Sequence, residues 1–193
     1  QITGKGRCHL LGWSIGGNIA FEVARQLRRS DVEVDELVLL DSGLLGGRDS
    51  ESEEDFLPLI AALFPGEEHL SLEQLRELSP QEQMEYFVKQ ASRAGIVPVD
   101  AELLGMQIFN VFQANVKAVH GYEAEPYDGN ILLIRPEDQA RTGALFDDPA
   151  LGWRALAPRV DLELVQGDHA GMLQGDTVKQ IAGLLRSRLT NSA

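Results

Sequence analysis

Five consecutive residues near the start of the chain, Gly12-Trp13-Ser14-Ile15-Gly16, constrain the fold more than any other feature. They stand where two patterns meet. Before them, Cys8 to Gly12 is a short apolar run ending in glycine, which reads as a strand. After them, Gly16, Ala20, Val23, Ala24 and Leu27 recur at helical spacing and predict one apolar helix face. Arg25, Arg28 and Arg29 place positive charge near the end of that helix, where its dipole favours it. A buried strand from Glu36 to Leu40 follows, closed by Asp41. Its unbroken apolar run, Leu37-Val38-Leu39-Leu40, suits a parallel sheet covered on both faces. Strand, helix and strand within about 35 residues make a βαβ unit, and the expected fold class is α/β.

From Gly43 to about Tyr122 the pattern turns helical, with no strand expected. Phe56, Leu59, Ile60, Leu63 and Phe64 form one stripe. Ser71 with Gln74 is a capping-box signature, followed by Leu72, Leu75 and Leu78. Ser79-Pro80-Gln81-Glu82 is a stronger one, with proline at the first helical position. Met84, Phe87, Val88 and Ala91 supply that helix's face. Leu104, Ile108, Val111, Phe112, Asn115 and Val119 mark a longer helix. The sheet resumes at Ile131 to Ile134. Val160 to Val165 alternates apolar and acidic residues as an outer strand would. Asp176 is expected to cap a last helix with Val178, Ile181, Leu185 and Leu189 on one side.

The chain has 193 residues, which suits a single domain with a real core. Thirty acidic residues against 17 basic ones give a formal net charge of -13. That argues against a nucleic-acid surface and against an anionic membrane as partner. The one cysteine, Cys8, permits no intramolecular disulfide. It reads as a small core residue, and a cytoplasmic compartment fits. No apolar stretch reaches membrane-spanning length. No metal-ligand cluster is expected.

The chemistry expected of this chain starts from Ser14, in a G-x-S-x-G match. On a sharp strand-to-helix turn the hydroxyl projects from the end of the sheet. Flanking glycines are expected to remove β-carbons that would block the turn. The turn aims the first helix amides at a reacting carbonyl, so the Ile15 amide is the expected oxyanion donor. A serine nucleophile needs a base. His9 lies inside the first strand and is expected to be core. His69 and His120 lie in or at the end of the helical segment and are expected to be solvated. His169, in Gly167-Asp168-His169-Ala170-Gly171, can reach over the C-terminal ends of parallel strands, where such sheets bind ligands. The acid that orients it is Asp41 or Asp138, each closing a strand; Glu137 is a weaker option, and Asp168 is expected to point elsewhere.

Taken together, Gly12-Trp13-Ser14-Ile15-Gly16-Gly17, Leu37-Val38-Leu39-Leu40-Asp41-Ser42 and Gly167-Asp168-His169 resemble the type I thioesterase domains that end non-ribosomal peptide synthetases and polyketide synthases. Trp153 also resembles a recurring family position. The resemblance implies an α/β-hydrolase fold, a mostly parallel sheet with a helical lid at about residues 50–122. It implies Asp41 as the acid, because in that family the acid follows the strand after the nucleophile helix. The implied substrate is an acyl or peptidyl thioester on the phosphopantetheine arm of a carrier protein, with no cofactor bound by the domain itself.

The family has strands before the nucleophile strand and an early loop that supplies a second oxyanion amide. This sequence opens at Gln1, so those N-terminal strands are expected to be missing from it, and the strand from Cys8 to Gly12 is expected to expose an edge. Thioester cleavage through an acyl-Ser14 intermediate, by hydrolysis or macrocyclisation, is the leading expectation. A carboxylester hydrolase of the same fold, or an inactive truncated binding module, are the alternatives.

Overall fold

The structure is a computed structural model, and it describes residues 6–45, 57–63, 70–98, 101–138 and 147–191. The chain divides into two compact units, one of residues 1–47 and 123–193, the other of residues 48–122.

The first unit holds the sheet. Strand β1 (Arg7–Trp13), helix α1 (Ile15–Arg29) and strand β2 (Glu33–Leu40) form the expected βαβ unit. Strands β3 (Asn130–Pro136) and β4 (Arg159–Val165) complete a four-stranded sheet in the order β1-β2-β3-β4, every neighbouring pair parallel. Among the described residues β1 is therefore one edge and β4 the other. All four strands run the same way, so all four C-terminal ends open on one side. The central β2 and β3 bury every side chain of their apolar runs, residues 37–40 and 131–134, as strands covered on both faces require.

One face of the sheet packs with α1: Phe21, Ala24, Leu37, Leu39, Ile131, Leu133 and Trp153 share a core. The other face, with Val38, Leu40, Leu132, Ile134 and Val165, packs with Met172, Ile181 and the last helix α6 (Gly175–Asn191). Asp176 lies inside the first turn of α6 rather than ahead of it, paired with Lys179.

The buried face of α1 is rotated from the one its hydropathy pattern predicts. Phe21, Asn18 and Arg25 are buried with Ala20 and Ala24, whereas Val23 is exposed. The polar residues go inside because they find partners there. Arg25 bonds Glu22 and Glu125, and Arg28 pairs with Asp128 while lying over the Tyr127 ring. These pairs staple the end of α1 to the segment leading into β3.

The second unit is helical: α2 (Leu57–Leu63), α3 (Leu72–Glu77), α4 (Pro80–Arg93) and α5 (Glu102–His120), with no strand among its described residues. Both predicted capping boxes form. The Ser71 and Ser79 hydroxyls accept from the Gln74 and Glu82 amides, and the Gln74 and Glu82 side chains accept from the Ser71 and Ser79 amides. The unit has its own core of Leu57, Ile60, Leu75, Phe87, Ala91, Val97 and Phe109. On α5 the pattern finds part of the buried face: Val119 is buried and Ile108 and Phe112 pack half-buried on the core, as expected, whereas Phe109 and Val116 are also buried and Leu104 and Val111 point outward. Phe56, Phe64 and His69 lie outside the described residues.

Candidate active site

Ser14 occupies the single residue between β1 and α1, with φ 54° and ψ -132°. A non-glycine residue with positive φ is held there only when its surroundings over-determine it, at a cost of about 1–3 kcal/mol. Three contacts do so. The Ser14 amide donates to the Leu40 carbonyl of β2 at 3.0 Å, and the Gly17 amide donates to the Ser14 carbonyl at 3.0 Å. Gly12 supplies the third. A β-carbon there would stand 2.3 Å from the Gly16 carbonyl oxygen and 2.5 Å from Gly17 Cα, so only glycine lets the helix start this close to the strand. Gly17 is needed too, since its β-carbon would meet the Ser42 side chain at 2.2 Å. Gly16, the second glycine of the motif, has nothing within 4 Å of the position a β-carbon would take, contrary to the expectation that both flanking glycines clear the turn.

Asp41 closes β2 with φ 40°, a second positive-φ residue at the same side of the sheet. Its amide donates to the Ile134 carbonyl at 2.8 Å, which keeps it registered on β3. The residues just beyond it are pinned from α1. Buried Asn18 donates to the Gly43 carbonyl at 2.9 Å and accepts from the Leu45 amide at 3.0 Å. Trp153, fully buried, donates from Nε1 to the Ser42 carbonyl at 2.6 Å.

His169 leaves the loop after β4 and is 5% exposed. Its Nδ1 lies 2.7 Å from Asp41 Oδ2, and its Nε2 lies 3.1 Å from Ser14 Oγ. A carboxylate only accepts, so the proton sits on Nδ1 and donates to Asp41. That leaves Nε2 as an acceptor for the Ser14 hydroxyl. The three residues come from the ends of β1, β2 and β4, separated by up to 155 positions in sequence.

The competing acids stand elsewhere. Asp138 and Glu137 are exposed. Their backbone matters more than their carboxyls here: the Glu137 amide donates to Val165 at 2.8 Å and the Asp138 amide to Gly167 at 3.1 Å, supporting the loop that carries His169. Asp168 turns away and accepts from the Gly171 amide at 2.7 Å. His9 is exposed on β1, not core as its place in an apolar run suggests, because it shares an uncovered face of that strand with the exposed Arg7 and Leu11. His120, expected to be solvated, is half-buried, with Nδ1 inside the protein. Cys8 is half-buried against the α1-side core; burial first, and Asp35 second, push its thiol above the ordinary range.

Sequence reasoning missed Arg135. It is 3% exposed at the end of β3, its Nη1 donating to the Asp148 and Pro149 carbonyls at 3.1 Å each. Its Nε stands 4.0 Å from Asp41 Oδ1, so a buried cation backs the acid on the side away from His169. Burial holds its guanidinium below its usual pKa, and the Asp148 charge opposes that. The signal was present as a lone arginine in the run Ile131-Leu132-Leu133-Ile134-Arg135-Pro136. Asp148 in turn accepts from the Ala150 and Gly152 amides at 2.9 and 2.8 Å, and these two bonds, in that order, hold its carboxyl below the usual range.

The described residues hold no cluster of His, Cys, Asp and Glu arranged for a metal, and no helix among them is long and apolar enough to cross a membrane.

The chain is similar to known proteins. The family model described as "Thioesterase domain" matches residues 1–189. The chain is 29% identical over 143 residues to a dimodular nonribosomal peptide synthase of Bacillus subtilis, an alignment covering 69% of this chain and 6% of that protein. The crystal structure of a holo four-domain nonribosomal peptide synthetase bound to AMP and glycine superposes with a TM-score of 0.68 at 27% identity, over 95% of this chain and 14% of that one. The thioesterase domain that cyclises the lipopeptide antibiotic surfactin superposes with a TM-score of 0.58 at 18% identity, over 98% of this chain and 69% of that one, and it shares the fold. The chain thus spans a small fraction of the synthetases it matches. With the α/β-hydrolase-type sheet and the family match over nearly its whole length, this chain belongs to the thioesterase domain family.

Proposed function

We propose that this chain releases an acyl or peptidyl group from the phosphopantetheine thioester of a carrier protein, through an acyl-Ser14 intermediate. The observation that carries the proposal is the continuous hydrogen-bond path from Ser14 through His169 to Asp41 at the C-terminal edge of a parallel sheet. Similarity to nonribosomal peptide synthetases supports the carrier-borne substrate.

In this mechanism Ser14 Oγ attacks the thioester carbonyl as His169 Nε2 takes its proton. Asp41 holds the imidazole in the tautomer that can accept at Nε2 and stabilises the imidazolium that forms. The developing oxyanion lies against the Ile15 amide at the N-terminus of α1, where the helix dipole adds favourable potential. Collapse breaks the C–S bond, and the imidazolium returns its proton to the leaving thiol. Water, or a hydroxyl or amine of the acyl chain itself, then attacks the acyl-serine with His169 again as base; collapse of that adduct breaks the ester C–O bond to Ser14, and the imidazolium returns the proton to Ser14 Oγ. The choice between these two nucleophiles depends on how far water is excluded from the acyl-serine, the role proposed for the helical lid at about residues 50–122. The Arg135 charge, 4.0 Å from Asp41 Oδ1, adds favourable potential at that carboxylate.

Mass spectrometry after treatment with a fluorophosphonate tests the nucleophile. The expected adduct is on the peptide containing Ser14, and Ser14→Ala should abolish both labelling and turnover of an acyl-phosphopantetheine thioester. An adduct elsewhere with Ser14 unmodified overturns the proposal.

A further inference from the structure

We infer that Trp13 is a positioning residue for His169, clamping the imidazole from its face and stabilising it when protonated. The inference rests on reading His169 as the base. The two rings are stacked, with centroids 5.0 Å apart and planes 24° from parallel. The indole Nε1 also donates to the His169 backbone carbonyl at 3.3 Å. Trp13 is itself half-buried, packed against the core that contains Met172 and Ile181 beneath α6. One side chain therefore touches both the ring and the main chain of the histidine.

The need for such a contact follows from the hydrogen bonds. The imidazole bonds to Asp41 through Nδ1 and to Ser14 through Nε2, and the N–H and lone pair of an imidazole are directed in the ring plane. Together they restrain the position of the ring, but they leave it free to tip about the line joining its two nitrogens. His169 sits in a loop, between β4 and the 3₁₀ turn Gly171–Leu173, where no ladder restrains it. A flat ring stacked on one face restrains that tipping. Trp13 also immediately precedes Ser14, so the residue whose backbone ends the nucleophile's strand carries the side chain that holds the base.

The stacking has an electrostatic consequence. The face of an indole is negative and attracts a cation. Trp13 should therefore favour the imidazolium, the form His169 takes as the thioester is attacked. Among the described residues, charged groups near the imidazole include Asp41 on its Nδ1, Arg135 behind Asp41, and the neighbouring Asp168, turned to Gly171. None is altered by a change at Trp13, so a shift in the histidine's titration is assignable to the ring.

Two measurements test this. The first is the pH profile of kcat/KM in Trp13→Leu and Trp13→Phe. Trp13→Leu should lower the plateau by about 10- to 100-fold, as misplacement of a catalytic group does. Its acid limb should also move to lower pH by roughly 0.5–1 unit, because the imidazolium has lost its aromatic partner. Trp13→Phe, which can still stack, should recover most of both. A lowered plateau with an unmoved limb would mean that Trp13 only packs, and would overturn the inference. The second measurement is independent of turnover. A protonated imidazole in contact with an indole quenches its emission, so Trp13 fluorescence should rise with pH at the midpoint of the kinetic limb. Trp153, the one other tryptophan, is fully buried and gives a constant background. His169→Gln should abolish the transition. No emission change in the unmodified protein between about pH 5 and 8 refutes the stacked pair. If instead Ser14→Ala or His169→Gln retained full turnover, the proposed mechanism would fail, while the fluorescence titration would still decide whether Trp13 senses His169.

Discussion

Two glycines of one motif should respond to the same substitution with opposite signs. Gly12→Ala places a β-carbon 2.3 Å from the Gly16 carbonyl oxygen, 2.5 Å from Gly17 Cα and 2.6 Å from the Gly16 carbonyl carbon. All three are backbone atoms of the first turn of α1, so no side chain can swing aside. Relief requires strand and helix to separate by about 1 Å, since non-bonded carbons rest near 3.5 Å. Overpacking a tight core costs about 1–3 kcal/mol, and a clash with backbone alone belongs at the top of that range or beyond. Gly16→Ala meets nothing within 4 Å, and Gly16 is helical, so the alanine should stabilise by about 0.5 kcal/mol through lost unfolded-state freedom. Gly17→Ala falls between, because its obstacle is the Ser42 side chain at 2.2 and 2.4 Å. Ser42→Gly in the same chain removes both atoms and should restore most of the loss. The assay is urea unfolding followed by circular dichroism, comparing midpoints at equal slope. A Gly16→Ala protein as destabilised as Gly12→Ala would refute this account of the turn.

Asp41→Asn should lower kcat by about 10⁴, because an amide permits the wrong imidazole tautomer, whereas Asp138→Asn, on an exposed residue, should leave it near normal. Steady-state kinetics on a carrier-borne thioester separate them. Asp148→Asn should destabilise at neutral pH by about 1 kcal/mol, since the carboxylate that accepts from the Ala150 and Gly152 amides loses its charge. The folded carboxyl titrates below its usual value. Its contribution is therefore complete above the ordinary aspartate range, near pH 4, and fades as pH falls through the lower folded value. The gap in Tm between the two proteins should accordingly close in acid. If the helical unit acts as a mobile lid, amides of α4 and α5 should exchange faster than those of β2 and β3; equal protection would mark it as fixed core.

The turn at Ser14, the βαβ unit and the two capping boxes were legible in the sequence because each depends on residues within a few positions of one another. A glycine, a serine or a proline at the right offset answers a local steric or hydrogen-bonding demand, and that demand is written beside it. The unbroken apolar runs of β2 and β3 likewise announce strands buried on both faces. Helix faces were less legible. Hydropathy puts Val23 inside and the helix dipole accounts for Arg25 only as charge near the end of α1, yet Arg25 is buried because Glu22 and, a hundred residues away, Glu125 receive it. A moment read along one helix cannot contain such a partner. The same reason separates Asp41 from Asp138. Both close parallel strands, and the residues alone leave both as candidates; only the family resemblance implies Asp41. What distinguishes them is the register of β2 on β3 and the path of the loop after β4, which bring Asp41 to the imidazole and leave Asp138 supporting Gly167 with its amide. Arg135 behind the acid and Trp13 against the base belong to the same class of fact. Their identities stand in the sequence, but their roles come from distances across the sheet, which only the packed chain determines.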